Sequence, residues 1–253
     1  MVTLPTKPVP AVSTNPKFLV LFGKEKTGKT SALAQLENNL IIDLEGGSTF
    51  IDAMAVQART INDLGEIAQA IRAKNAEVGH NFYKHITIDN ATDLEEICLS
   101  YAATLYRQQP MGKNWTGTDV RTLPNGAGWG YLREAVLKVI NMFNELCDEF
   151  ILLGHAKDKT VEIDGVEKSE RSLDLVGKLS DMVCRKCDGL GYMYRKGNEV
   201  HISFIGGDDV SKGCRPEHLR NQDIVISSME DNKLTTYWDR VYKPEYLKER
   251  NYV

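Results

Sequence analysis

At 253 residues, 42% hydrophobic and 26% charged, the chain has the size and composition of one large globular domain that needs no disulfide or metal staple. Its formal net charge of -4, from 31 Lys and Arg against 35 Asp and Glu, excludes a uniformly basic coat for nucleic acid but leaves room for a local basic patch. Five cysteines, an odd number, argue against a secreted disulfide framework and for a reducing cytosol. The longest apolar runs are about a strand long, where a membrane span takes roughly 20 residues, and the N-terminus lacks the apolar core of a secretory signal. The expected setting is therefore cytoplasmic, away from membranes.

Residues 1–16 hold four of the eight prolines and no acid, which reads as an extended arm or a disordered tail. From residue 17 the pattern is strand, loop, helix, repeated. Phe18-Leu-Val-Leu-Phe22 is a continuous apolar run, as for a strand buried on both faces. A Gly-rich loop and a helix over 30–38 come next. A second buried strand is expected at 40–44, a helix at 61–77, a third strand at 85–89 and a helix at 93–107, with Asn90 or Thr92 as its N-cap.

Residues 108–126 have no clear period and read as a long loop. A helix is expected over 127–146 and a fourth buried strand over 150–154. Residues 157–171 are polar, with Asp164-Gly165 as a hairpin turn. A helix over 172–185, paired strands at 191–195 and 199–205, and a short strand at 224–227 complete the pattern. Apolar strands alternating with helices predict an α/β fold, a mostly parallel sheet flanked by helices, with antiparallel strands added late. The expected organisation is an arm (1–16), one domain (17–230) and a polar extension (231–253).

Gly23-Lys24-Glu25-Lys26-Thr27-Gly28-Lys29-Thr30 is a full G-x-x-x-x-G-K-T phosphate-binding loop, and it falls between an apolar strand and a helical pattern. Its glycines let the backbone wrap so that N–H groups face phosphate oxygens, and the helix beyond presents its positive end to the same anion. Lys29 would reach the β- and γ-phosphates of ATP. Thr30 would bind Mg²⁺, and Ser31 would complete the cradle.

Strand ends supply the remaining candidates. Asp89, at the carboxyl end of a parallel strand, faces the ligand crevice and is the expected second holder of Mg²⁺; the other reading is that Asp89 or Asn90 only caps the next helix. Asp43 and Glu45 alternate onto one side of the second strand. Glu45, farther out and followed by Gly46-Gly47, is the candidate for activating water, with Asp43 second. His155 ends the fourth strand, where a neutral imidazole could touch the γ-phosphate and report it to the next loop.

Taken in order, the phosphate loop, Ile42-Asp-Leu-Glu-Gly46, Ile86-Thr-Ile-Asp89 and Leu152-Leu-Gly-His155 resemble the RecA-like P-loop ATPase core. More closely they resemble small phage-encoded RecA-like proteins, AAA-family ATPases or phage nucleotide-binding proteins, some of which are single-strand annealing recombinases. The resemblance implies ATP hydrolysis with Glu45 as catalytic glutamate, Asp89 at the metal and His155 as sensor. It implies DNA-contacting loops after the Asp89 and His155 strands. It also implies a ring or filament of identical subunits, with a basic residue reaching the neighbour's ATP. Lys212 and Arg215 are candidates, although their Lys-x-x-Arg spacing departs from the Lys-x-Arg pair of related helicases; Lys178 is another.

The first implied loop suits single-stranded DNA. Between residues 101 and 133 four cations (Arg107, Lys113, Arg121, Arg133) meet one acid, Asp119, with aromatic rings among them. Arg107, Lys113, Trp115 and Arg121 are the candidate DNA contacts, whereas Trp129 and Tyr131 fit a helix face in the core. Residues 156–171 carry a local net charge of -1, which argues against a phosphate clamp there. That departure keeps open a second function, a nucleotide-dependent switch or assembly factor with a protein partner. Cys184 and Cys187 could join Cys214 and His218 at zinc, but the second half of that set is poorly spaced; Cys98 and Cys147 read as core.

Overall fold

The computed structural model describes residues 4, 6–7, 13–163, 166–207 and 210–243. Its strands are β1 (Phe18–Gly23), β2 (Asn39–Asp43), β3 (Ala55–Gln57), β4 (His85–Asp89), β5 (Glu149–Ile163), β6 (Val166–Leu173), β7 (Gly189–Lys196), β8 (Glu199–Ser203), β9 (Gly213–Cys214), β10 (Asp223–Glu230) and β11 (Lys233–Thr236). Helices are α1 (Lys29–Ala34), α2 (Ile61–Val78), α3 (Ala91–Arg107), α4 (Gly128–Asn144) and α5 (Lys178–Lys186).

The main sheet runs β11-β10-β8-β7-β1-β5-β4-β2-β3. From β7 to β3 every neighbouring pair is parallel, while β8, β10 and β11 add antiparallel pairs at the other end. This is the expected α/β class, mostly parallel with antiparallel strands late in the chain. The apolar runs split by alternation. Phe18, Val20, Phe22, Ile42, Ile88 and Leu152 pack with α2 to α5 on one face. Leu19, Leu21, Ile41, Ile151 and Leu153 pack with α1 and the late strands on the other. Burial on both faces is why these strands carry no polar alternation.

Register places the site. Gly23 lies opposite His155 and Asp43 opposite Asp89, so β1, β4 and β2 end along the same edge as His155, which lies part-way along β5. Two caps fix the starts of α2 and α3. Thr60 forms a capping box with Asp63 at α2, and Asn90 caps α3 through bonds from Thr92 and Asp93 backbone N–H.

Several expectations are corrected. α1 stops at Ala34, short of 38, because the Asn39 side chain donates to the Leu33 carbonyl at 2.9 Å and Asn38 turns the chain at φ 48°. Residues 157–163 and 166–173 lie in the paired strands β5 and β6, and Ser172 and Leu173 pair with Lys157 and Ala156, so α5 begins only at Lys178. The turn expected at 164–165 lies outside the described residues. The 108–126 stretch contains three short 3-10 turns.

The boundary drawn at 230 falls inside a β-hairpin. β11 continues the sheet, Trp238 Nε1 donates to the Ala32 carbonyl of α1 at 2.8 Å, and Val241 and Tyr242 are buried. The expected separate extension is thus part of the domain as far as 243, and its remainder lies outside the described residues, as does most of the arm. Asn15, near the arm's end, exchanges two hydrogen bonds with the backbone of Lys243. Among the described residues no helix is long and apolar enough to cross a membrane.

Candidate nucleotide site

The phosphate loop joins β1 to α1. Gly23 abuts β7 so closely that a Cβ there would lie 2.2 Å from the Met193 carbonyl oxygen. Gly28 turns with φ 94°, in the region glycine favours. Thr27 Oγ1 donates to the Lys24 carbonyl at 2.5 Å, closing the loop on itself. Residues 25–31 line a cleft of about 380 Å³, and Glu45, Phe50, Asp89 and His155 stand around it. Gly23 and Lys24 do not line it.

Lys29 is buried, with Nζ donating to the Gly23 and Lys24 carbonyls at 3.2 and 2.8 Å. Burial lowers its pKa, while Asp89, Glu45 and Glu25 pull the other way. Thr30 Oγ1 donates to Asp89 Oδ2 at 2.6 Å. Burial raises the Asp89 pKa, helped by Glu45 and Asp43, while the Thr30 bond and Lys29 oppose it. A buried carboxylate touching the P-loop hydroxyl is the donor pair a hard divalent cation takes, so these residues fit Mg²⁺. The two readings of the β4 end are shared between neighbours, with Asp89 facing the cleft and Asn90 capping α3.

The β2 end separates its two acids. Asp43 is almost fully buried and accepts from the backbone N–H of Glu45, Gly46 and Ser48 at 3.0, 2.6 and 3.0 Å, and from the Ser48 hydroxyl. Burial alone would raise its pKa, but these bonds together hold it below the ordinary carboxylate value. Asp43 is committed to building the turn, which leaves Glu45 facing the cleft. Arg59 braces the same turn, donating to the Asp43 and Leu44 carbonyls. Asp43→Ala is expected to cost about 2–4 kcal/mol of stability in urea denaturation at neutral pH. Because the folded pKa is depressed, the Asp43 contribution is complete above the unfolded value and is lost as pH falls through the folded one. Wild type should therefore lose more stability than Asp43→Ala between about pH 5 and pH 2.

Glu45 is half exposed, with Oε2 3.1 Å from Asn90 Nδ2 and 3.8 Å from His155 Nε2. The structure thus brings Lys29, Thr30, Glu45, Asp89 and His155 to one cleft. Sequence reading missed two neighbours. Phe50 is 90% exposed at the cleft, and a lone aromatic in a short turn gave no signal. Asn90 is legible in sequence as a cap, but its amide also reaches Glu45 and His155.

The other candidates lie elsewhere. Lys178 is exposed at the start of α5 and Lys212 is half-buried before β9. Arg215 bonds Asp188 at 2.8 Å and the Arg185 carbonyl at 3.0 Å. Asp188 also accepts from the backbone N–H of Lys17 and Phe18, so Arg215 belongs to the clamp that starts β1. None of the three lines the nucleotide cleft of this chain.

Of the proposed DNA contacts, Arg121 is held by Asp119 and Glu96 at 2.8 and 2.7 Å. Arg107 lies over the Trp115 ring at 5.5 Å and donates to the Gly117 carbonyl. Trp115 packs edge-on against Tyr106, and Lys113 is exposed. Trp129 and Tyr131 pack against the core, as expected. In the hairpin, Lys157 pairs with Asp174 at 3.1 Å and Arg171 with Asp158 at 3.2 Å.

Burial pushes the Cys184 and Cys187 thiols up to about 11 and about 12, and the described residues contain no cluster of three or more ligands suited to a metal. The zinc reading therefore has no support in the fold. Cys98 and Cys147 are buried in the core.

A family model described as an AAA domain matches residues 15–231. No curated protein matches the chain. Among solved structures 178 chains match, including the KaiC-like protein PH0186 from the hyperthermophilic archaeon Pyrococcus horikoshii OT3. That match has 12% identity and a TM-score of 0.40, covering 87% of this chain and 89% of the other.

Proposed function

The chain belongs to the AAA domain family, and from that premise we propose that it binds and hydrolyses ATP with Mg²⁺ and couples this to single-stranded DNA. The observation that carries the chemistry is the 2.6 Å bond from Thr30 to Asp89, made at the foot of a phosphate loop with Glu45 and His155 across the cleft. Residues 23–31 cradle the phosphates, and Lys29 supplies the cation that meets the β- and γ-phosphates. Thr30 and Asp89 hold Mg²⁺, which when bound neutralises charge developing on the phosphate oxygens. Glu45 orients the attacking water and accepts its proton. His155 contacts the γ-phosphate; it sits in β5, which runs directly into the hairpin, so nucleotide state has a covalent path to that arm.

The biological setting we propose is phage recombination, annealing or replication in the host cytoplasm. The chain would act as a ring or filament in which Lys178 or Lys212 reaches a neighbour's ATP. Arg107, Lys113 and Trp115 would face the DNA. The pairing of Arg121, Lys157 and Arg171 with carboxylates favours the second reading, a nucleotide-dependent switch with a protein partner. Fluorescence anisotropy of labelled single-stranded DNA, with and without ATP, separates them. The first reading expects ATP-dependent binding at about 50 mM salt that weakens steeply as salt rises. No binding at that salt, with turnover indifferent to DNA, would leave the switch.

A further inference from the structure

Asn90 stands where the proposed water-activating and phosphate-sensing groups meet. Its Oδ1 accepts from Thr92 and Asp93 backbone N–H at 2.9 and 3.0 Å, which caps α3. Its Nδ2 lies 2.9 Å from Asp93 Oδ2, 3.1 Å from Glu45 Oε2 and 3.2 Å from His155 Nε2. A carboxamide nitrogen carries two hydrogens, so three acceptors compete for two N–H groups. Asp93 is fixed in the first turn of α3 beside the cap. The remaining N–H is therefore contested by Glu45 and His155. No hydrogen bond among the described residues fixes the His155 tautomer, because its Nδ1 is buried without a partner, so Nε2 can either accept or donate.

Asn90 is 2% exposed and does not line the nucleotide cleft, whereas Glu45 and His155 do. It can act on the reaction only through those two. We infer that Asn90 is a positioning residue that passes one N–H between His155 and Glu45 according to whether a γ-phosphate is present. When His155 Nε2 carries a proton toward a phosphate oxygen it cannot accept from Asn90. The amide then goes to Glu45 and fixes its carboxylate for water. Without that phosphate, His155 Nε2 competes for the same N–H at nearly the same distance, and Glu45 is held only part of the time. Hydrolysis is thereby tied to an occupied γ site. This rests on the roles proposed above for Glu45 and His155.

Two substitutions separate positioning from capping. Asn90→Ser and Asn90→Asp both keep a good N-cap acceptor; the first cannot reach Glu45 and the second has no side-chain N–H. Phosphate release and ATP affinity are measured for both, for Glu45→Gln, and for the double variant Asn90→Ser with Glu45→Gln. Each Asn90 variant should bind ATP within about threefold of wild type, with KM little changed and kcat reduced about 10–100-fold. The double variant should be no slower than Glu45→Gln alone, because one pathway has been cut twice.

Wild-type kcat in the Asn90 variants beside an inactive Glu45→Gln would overturn the inference and leave its premise standing. Additive losses in the double variant would mark a general structural effect and overturn it as well. Normal turnover in Glu45→Gln would overturn both. Should Asn90→Ser fail to fold, Asn90→Asp, which keeps the length of the side chain and its capping oxygen, decides the question.

Discussion

Lys29→Ala is expected to weaken ATP binding by roughly 10²–10³-fold in Kd, about 3–4 kcal/mol. The ammonium is almost fully buried at the base of the cleft and is set among Asp89, Glu45 and Glu25. It is the positive charge that offsets those three acids. Its loss removes charge-assisted hydrogen bonds to the phosphates and also leaves the carboxylates facing a polyanion. Both effects act in the same direction, which is why the expected loss exceeds that of one ordinary hydrogen bond. Calorimetric titration with ATP and Mg²⁺ measures it directly. The fold should survive, since among the described residues the Lys29 ammonium bonds the carbonyls of its own loop.

Glu45→Gln should separate binding from chemistry. Glutamine keeps the size of the side chain and an oxygen for the Asn90 amide, but it cannot take a proton from water. ATP affinity should stay within about threefold while kcat falls roughly 10²–10³-fold, the range for removing a general base. Titration and phosphate release on the same preparation give the two numbers. A parallel loss of affinity would mean that Glu45 serves the cation shell. The Asp43 geometry strengthens the assignment, because the neighbouring acid has all its bonds within the turn and cannot substitute.

The central strands were legible because their burial leaves a plain mark. Phe18 to Phe22 and Phe150 to Leu153 are apolar at every position, which is what a parallel strand covered on both faces requires. The phosphate loop was legible because its backbone path demands particular residues at fixed spacing, and strand ends then pointed to Asp89, Glu45 and His155. The β5–β6 hairpin was legible at its turn residues but not in its extent, since Ser172 and Leu173 read as the start of a helix. Its charged arms show no apolar alternation to report where they end, and the pairing of Ser172 and Leu173 with Lys157 and Ala156 leaves no mark in composition. The early stop of α1 depends on one amide, Asn39, bonding back to Leu33.

Choosing between Asp43 and Glu45 needed the turn itself, since alternation puts both on one side. The second duty of Asn90 was hidden for a similar reason: a residue read as a cap accounts for its oxygen and says nothing of its nitrogen. Local charge misled in a third way. The excess of cations between residues 101 and 133 ignored Glu96, which lies outside that window in sequence and beside Arg121 in space.

The most direct test of the account is steady-state phosphate release from ATP by wild type and Lys29→Ala, each with and without Mg²⁺. Turnover that appears only in wild type and only with Mg²⁺ is the predicted result. Equal rates in the two proteins, or a wild-type rate unchanged by removing Mg²⁺, would contradict it.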